Sequence, residues 1–95
     1  MLSTFTIDDD LSSQDSGGIE VILELENGTR RWCYFMTPKA LAACGDWIDG
    51  TQIKIHYASP YMIVVADQLT EEVIENALKH IDRAGEIEKC SLAID

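Results

Sequence analysis

The sequence predicts an α+β domain: a two-layer sandwich with a mainly antiparallel sheet of four or five strands and two helices on one face, in the order ββα-ββα-β. Three observations carry this expectation. Ile19 to Glu26 largely alternates apolar and acidic residues and runs into Asn27-Gly28, the dipeptide that favours a tight hairpin. Thr37-Pro38 and Thr70-Glu71-Glu72 each open a stretch of helical periodicity. The 95 residues, 46% hydrophobic and 25% charged, suit a single core.

Residues 1–18 read as an acidic, flexible lead. Asp8-Asp9-Asp10 and the polar run from Ser12 to Gly18 offer few apolar groups to offset the entropy of ordering. Phe5 and Ile7 alternate with Thr4, Thr6 and Asp8, so an edge strand over residues 3–8 is the alternative. Residues 19–95 form the single domain.

In the hairpin, a type I′ turn centred on Asn27-Gly28 sets Glu24 opposite Arg31, Leu23 opposite Trp32, Ile22 opposite Cys33 and Val21 opposite Tyr34. One face then carries Ile19, Val21, Leu23, Leu25, Trp32, Tyr34 and Met36 and is the expected core. The other carries Glu20, Glu24, Glu26, Thr29 and Arg31 around an apolar centre of Ile22, Cys33 and Phe35. An apolar centre with a charged rim is the pattern of an interaction surface, so Glu20, Ile22, Glu24, Glu26, Arg31, Cys33 and Phe35 are the expected partner-binding residues.

Thr37 and Pro38 supply the N-cap and first position of the first helix, with Leu41, Cys44 and Ile48 on one stripe. Gly45 ends that helix after Cys44, or the helix runs on to Ile48. Ile53, Ile55 and Tyr57 alternate with Lys54 and His56 as a half-buried strand, and Tyr61 to Ala66, apolar on both faces, reads as a central strand. The second helix has Thr70 as N-cap, Gly85 as its stop and Val73, Ile74, Ala77, Leu78 and Ile81 as its buried stripe. Glu75 and Lys79 pair outside that stripe. Cys90, Leu92 and Ile94 alternate as a final strand.

The formal net charge is −10, and every charged residue before Arg30 is acidic. Such a field repels phosphate backbones and anionic lipid, which bind through Lys and Arg. Direct nucleic-acid or membrane binding is therefore not expected, and a basic protein partner is. The longest apolar run falls far short of the roughly 18 residues of a membrane span, and no basic region precedes an apolar stretch near Met1, so a cytoplasmic location is expected.

Cys33, Cys44 and Cys90 are odd in number and widely spaced, and read as reduced thiols that pack as small hydrophobes. With only His56 and His80 beside them, no metal-ligand set, cofactor loop or nucleophile and base pair is legible. No catalytic residue, metal or cofactor is expected. The reading favoured by charge and pattern is a small acidic interaction or inhibitory module that binds a basic partner and can form a homodimer. A homodimeric small-ligand protein walled by Trp32, Tyr34 and Trp47 is the alternative. A thiol- or histidine-dependent enzyme built on Cys33, His56 or His80 ranks third.

Overall fold

A computed structural model describes residues 1–56 and 58–94. Strands β2 (Ile19–Leu25) and β3 (Arg30–Met36) form the expected hairpin, but through a different turn. Gly28 alone in the turn has positive φ, at 85°, whereas a type I′ turn needs positive φ at Asn27 as well. The Gly28 N–H donates to Leu25 O at 2.9 Å, and the Leu25 N–H donates to Thr29 O at 2.9 Å. This is a three-residue loop with a bulged glycine, closed by the Thr29 N–H donating to Asn27 Oδ1 at 3.0 Å.

The longer loop moves the register by one residue. Val21 faces Cys33, Ile22 faces Trp32, Leu23 faces Arg31 and Glu24 faces Arg30. The expected register is therefore corrected, and β3 turns over: Cys33 and Phe35 are fully buried with Ile19, Val21, Leu23 and Leu25. Trp32 and Tyr34 go to the opposite face and are only half-buried. Either register keeps the apolar face of β2 inside, so β3 decides. Phe35 and Cys33 enter the core with almost no polar cost, whereas Trp and Tyr each carry a group that needs a partner or water. Tyr34 meets that need at the surface, its hydroxyl lying 3.2 Å from Ser59 Oγ.

The fold is α+β, and its main sheet is five-stranded and mainly antiparallel. Strand β1 (Leu2–Ile7), within the segment read as a lead, pairs antiparallel with β2, with Phe5 opposite Leu23 and Ile7 opposite Val21. Strand β6 (Met62–Val64) pairs parallel with the second half of β3, and β7 (Leu92–Ala93) pairs antiparallel with its first half. The apolar run around β6 was expected in the sheet centre; it lies instead at the edge of β3. The parallel direction follows from the long connection between β3 and β6, which a tight turn could not supply.

That connection holds helix α1 (Pro38–Ala43) and a separate ribbon of β4 (Asp46–Trp47) and β5 (Lys54–Ile55). The half-buried strand expected at 53–57 is corrected accordingly: Ile53 and Ile55 are exposed in the ribbon, and Tyr57 lies outside the described residues. Gly45, at φ 99°, ends α1 after Cys44, and a Cβ there would collide with Ile55 O, so only glycine lets β4 turn against β5.

Helix α2 (Glu71–Arg83) packs on the core face through Ile74 and Leu78, with Val73, Ala77 and Ile81 alongside. Its Thr70 cap accepts from the Val73 N–H at 3.1 Å, Glu75 pairs with Lys79 at 2.9 Å, and Gly85 follows its end at φ 73°. In α1 the buried residue is Ala40, which lies outside the main core cluster. Two side chains fasten the outlying segments. Buried Gln14 donates to Leu69 O at 2.9 Å and accepts from the Leu69 N–H, tying the N-terminal segment to the entry of α2. Arg31 donates to Ser91 Oγ at 2.7 Å, Ser91 O at 2.8 Å and Glu88 O at 3.0 Å, holding the C-terminal loop. Among the described residues no helix is long and apolar enough to cross a membrane.

The register predicts unequal costs for two aromatic truncations. Phe35→Ala should lower unfolding stability by about 3–5 kcal/mol, and Trp32→Ala by about 1 kcal/mol, in urea titrations of the purified chain. The reverse order would place Trp32 in the core.

Candidate functional site

The face of the sheet opposite α2 is built from alternate residues of successive strands. Strand β1 contributes Thr4 and Thr6, β2 contributes Glu20, Ile22 and Glu24, and β3 contributes Trp32 and Tyr34. Met62 lies opposite Tyr34 and Leu92 opposite Trp32. The Trp32 and Tyr34 rings lie 5.3 Å apart at 34°, and Tyr61 meets Trp32 edge-on at 6.4 Å. These separations are those of mutually attractive ring pairs, so the aromatics form a preordered platform.

Acidic groups border that platform on one side. Asp9 Oδ2 accepts the Glu20 N–H at 2.7 Å, which brings a second carboxylate to the start of β2 beside Glu20, and Glu24 stands further along the same strand. Asp10 nearby is held below the usual carboxylate range by the Ser12 backbone N–H and then the Ser12 hydroxyl. Glu24 faces Arg30 across the strands, so one cation also stands at this rim.

Next to the platform lies a concavity of about 440 Å³, walled by Trp32, Tyr34 and Met36, with Glu20, Gly18, Cys44 and His56 at its margin. Gly18 shapes this hollow: a Cβ there would sit 3.0 Å from the Tyr34 ring and 3.2 Å from Met36 Sδ. Trp47, expected as a pocket wall beside Trp32 and Tyr34, stands instead on the ribbon and is 59% exposed.

Of the seven partner-binding residues expected from sequence, Glu20, Ile22 and Glu24 share this face. Glu26 sits exposed in the hairpin turn, its N–H donating to Met1 O at 2.9 Å. Arg31, Cys33 and Phe35 are on the opposite side of β3, where Phe35 and Cys33 are core and Arg31 is held by Ser91 and Glu88. The apolar centre composed of Ile22, Cys33 and Phe35 does not form; Ile22 lies opposite Trp32 on the other face instead. Sequence reasoning placed those two aromatics in the core, although their polar atoms were a signal for the wetter face.

The remaining chemistry-bearing groups are dispersed. The Cys33 thiol is pushed up to about 12 by burial and then by the nearby Cys90, so it stays protonated at neutral pH and is a poor nucleophile. Cys44 Sγ donates to Ser16 O at 3.1 Å. His80 is exposed on α2, away from the concavity that His56 borders. Among the described residues no group of three or more His, Cys, Asp or Glu side chains converges as a metal site. No protein-family model, curated protein or solved structure matches the chain.

The raised Cys33 thiol makes stability pH-dependent in the alkaline range. Between the ordinary thiol value of 9.0 and about 12 the folded chain keeps a proton that the unfolded chain has lost. Stability from this group is thus complete below pH 9 and declines as pH rises. At pH 10.5 the loss relative to pH 8 should be on the order of 1–2 kcal/mol greater for the native sequence than for Cys33→Ala, by urea titration. Equal slopes for the two would mean that Cys33 ionises freely in the folded chain.

Proposed function

We propose that the chain is an acidic protein-interaction module, acting in the cytoplasm, that binds a basic partner through the sheet face opposite α2. The observation that carries this reading is the placement of Trp32, Tyr34 and Ile22 beside Glu20 and Glu24 on the sheet face opposite the one that α2 closes. Aromatic platforms supply contact area at low entropic cost, and they attract cations through their ring faces. The carboxylates beside them select a basic partner and steer its approach, while the aromatics hold it after contact. An inhibitory or regulatory role follows if that partner uses its basic surface for another ligand.

Self-association is the second reading, and the ribbon favours it. Trp47, Ile48, Ile53 and Ile55 are 59%, 41%, 61% and 40% exposed on a two-stranded element with no core beneath it. Such a ribbon is marginal alone and gains stability when its apolar residues are covered.

Affinity enrichment from the native cell lysate, run at about 50 and 300 mM salt, tests the main reading with two variants. The enriched proteins should be basic and should fall away at high salt. Glu20→Lys/Glu24→Lys should abolish their capture by charge, and Trp32→Ala/Tyr34→Ala should abolish it at either salt, with both variants folded by circular dichroism. Enrichment that is acidic or neutral in composition, or that survives in both variants, contradicts the proposal. Sedimentation equilibrium on the same samples reads the homodimer directly.

A further inference from the structure

Beyond the aromatic face, we infer that the free edge of β1 is a second docking site, one that takes an extended basic segment as an added strand. Among the described residues β1 ends the sheet, and one side of its backbone has no partner strand. The Asp8 N–H donates to Glu20 O at 2.8 Å, which fixes the alternation: Thr4 and Thr6 turn their backbone groups toward β2, and Phe5 and Ile7 turn theirs outward. The six residues Leu2–Ile7 include no charge and no proline to guard the edge, and the irregularity in pairing between Leu2 and Thr4 leaves Thr4–Ile7 as its regular stretch.

A groove runs along that edge against α2. It consists of two adjoining hollows of about 310 and 300 Å³ that share Phe5 and Glu71, and together they follow β1 from Leu2 to Ile7. On the helix side the first hollow is walled by Glu71, Glu75, Lys79 and Asp82, which fall on one stripe at spacings of three and four. Lys79 pairs with Glu75, so the wall as a whole is negative. A strand laid into this groove would gain main-chain hydrogen bonds from Phe5 and Ile7, and its alternate side chains would meet the acidic wall.

Charge identifies the occupant. A second copy adding β1 to β1 would bring two acidic α2 stripes together on a chain of net charge −10, which is repulsive. A basic extended segment is attracted by the same stripe. The groove shares Thr4 and Thr6 with the aromatic face but none of Glu20, Ile22, Glu24, Trp32 and Tyr34 on which that reading rests, so the two fail independently.

An acetylated octapeptide alternating lysine and valine is the probe, with a glutamate–valine octapeptide as control. Titrated into the labelled chain and followed by amide resonances, the basic peptide should shift β1 and slow the hydrogen exchange of Phe5 and Ile7 by about tenfold or more. Glu71→Lys/Asp82→Lys should weaken that peptide by about tenfold and strengthen the acidic one. Trp32→Ala/Tyr34→Ala should leave both unchanged. The inference is overturned if the basic peptide fails to bind at millimolar concentration, if it shifts Trp32 and Tyr34 in place of β1, or if the two peptides bind alike. It is also overturned if Phe5 and Ile7 become protected with rising protein concentration alone, which would make the occupant a second copy.

Discussion

Gly28 holds a backbone conformation that other residues rarely adopt, and the loop it permits sets how β2 and β3 meet. Because side chains alternate along a strand, a change of one residue in that loop exchanges the two faces of β3. With the bulged glycine in place, Cys33 and Phe35 complete an apolar core with Ile19, Val21 and Leu23, on which Ile74 and Leu78 of α2 close. The same choice drives Trp32 and Tyr34 outward into the company of Ile22, Glu20 and Glu24. Core and candidate surface are thus two consequences of one turn.

The acidic composition then acquires a geometry. Carboxylates on β2 and on the loop that follows β1 gather beside the aromatic platform, and those of α2 line the flank of β1. A chain with so few cations has little internal means of neutralising both regions, although Lys79 pairs with Glu75 and Arg30 stands opposite Glu24. Basic surfaces are the natural complement of both, and salt should weaken each. The buried polar groups are by contrast fully engaged: among the described residues no buried side-chain nitrogen or oxygen lacks a hydrogen bond. Gln14 ties the loop before β2 to the entry of α2, and Arg31 holds the C-terminal loop against β3.

Much of the fold was legible because local chemistry and global packing agree there. The caps at Thr37 and Thr70, the stop at Gly85 and the stripe from Val73 to Ile81 all follow from short-range rules that the core reinforces. Alternation located β2, the Asn27-Gly28 turn then located β3, and the apolar run from Tyr61 to Ala66 located β6. What the sequence did not yield was pairing. Asn27-Gly28 serves a type I′ turn or a bulged loop equally well, and β3 is apolar on both faces, so hydrophobicity could not reject either register. The difference lay in the polar atoms of Trp32 and Tyr34. The ribbon at Asp46–Trp47 and Lys54–Ile55 was hidden for the opposite reason, since its alternation imitates a half-buried strand although nothing covers it.

Cross-strand proton contacts between β2 and β3 test the central claim most directly, because opposed residues in wide pairs bring their α-protons close. A nuclear Overhauser spectrum of the chain should show α-proton contacts between Ile22 and Trp32 and between Glu20 and Tyr34. Contacts between Leu23 and Trp32 in their place would restore the type I′ register, return Trp32 and Tyr34 to the core and dissolve the surface described above.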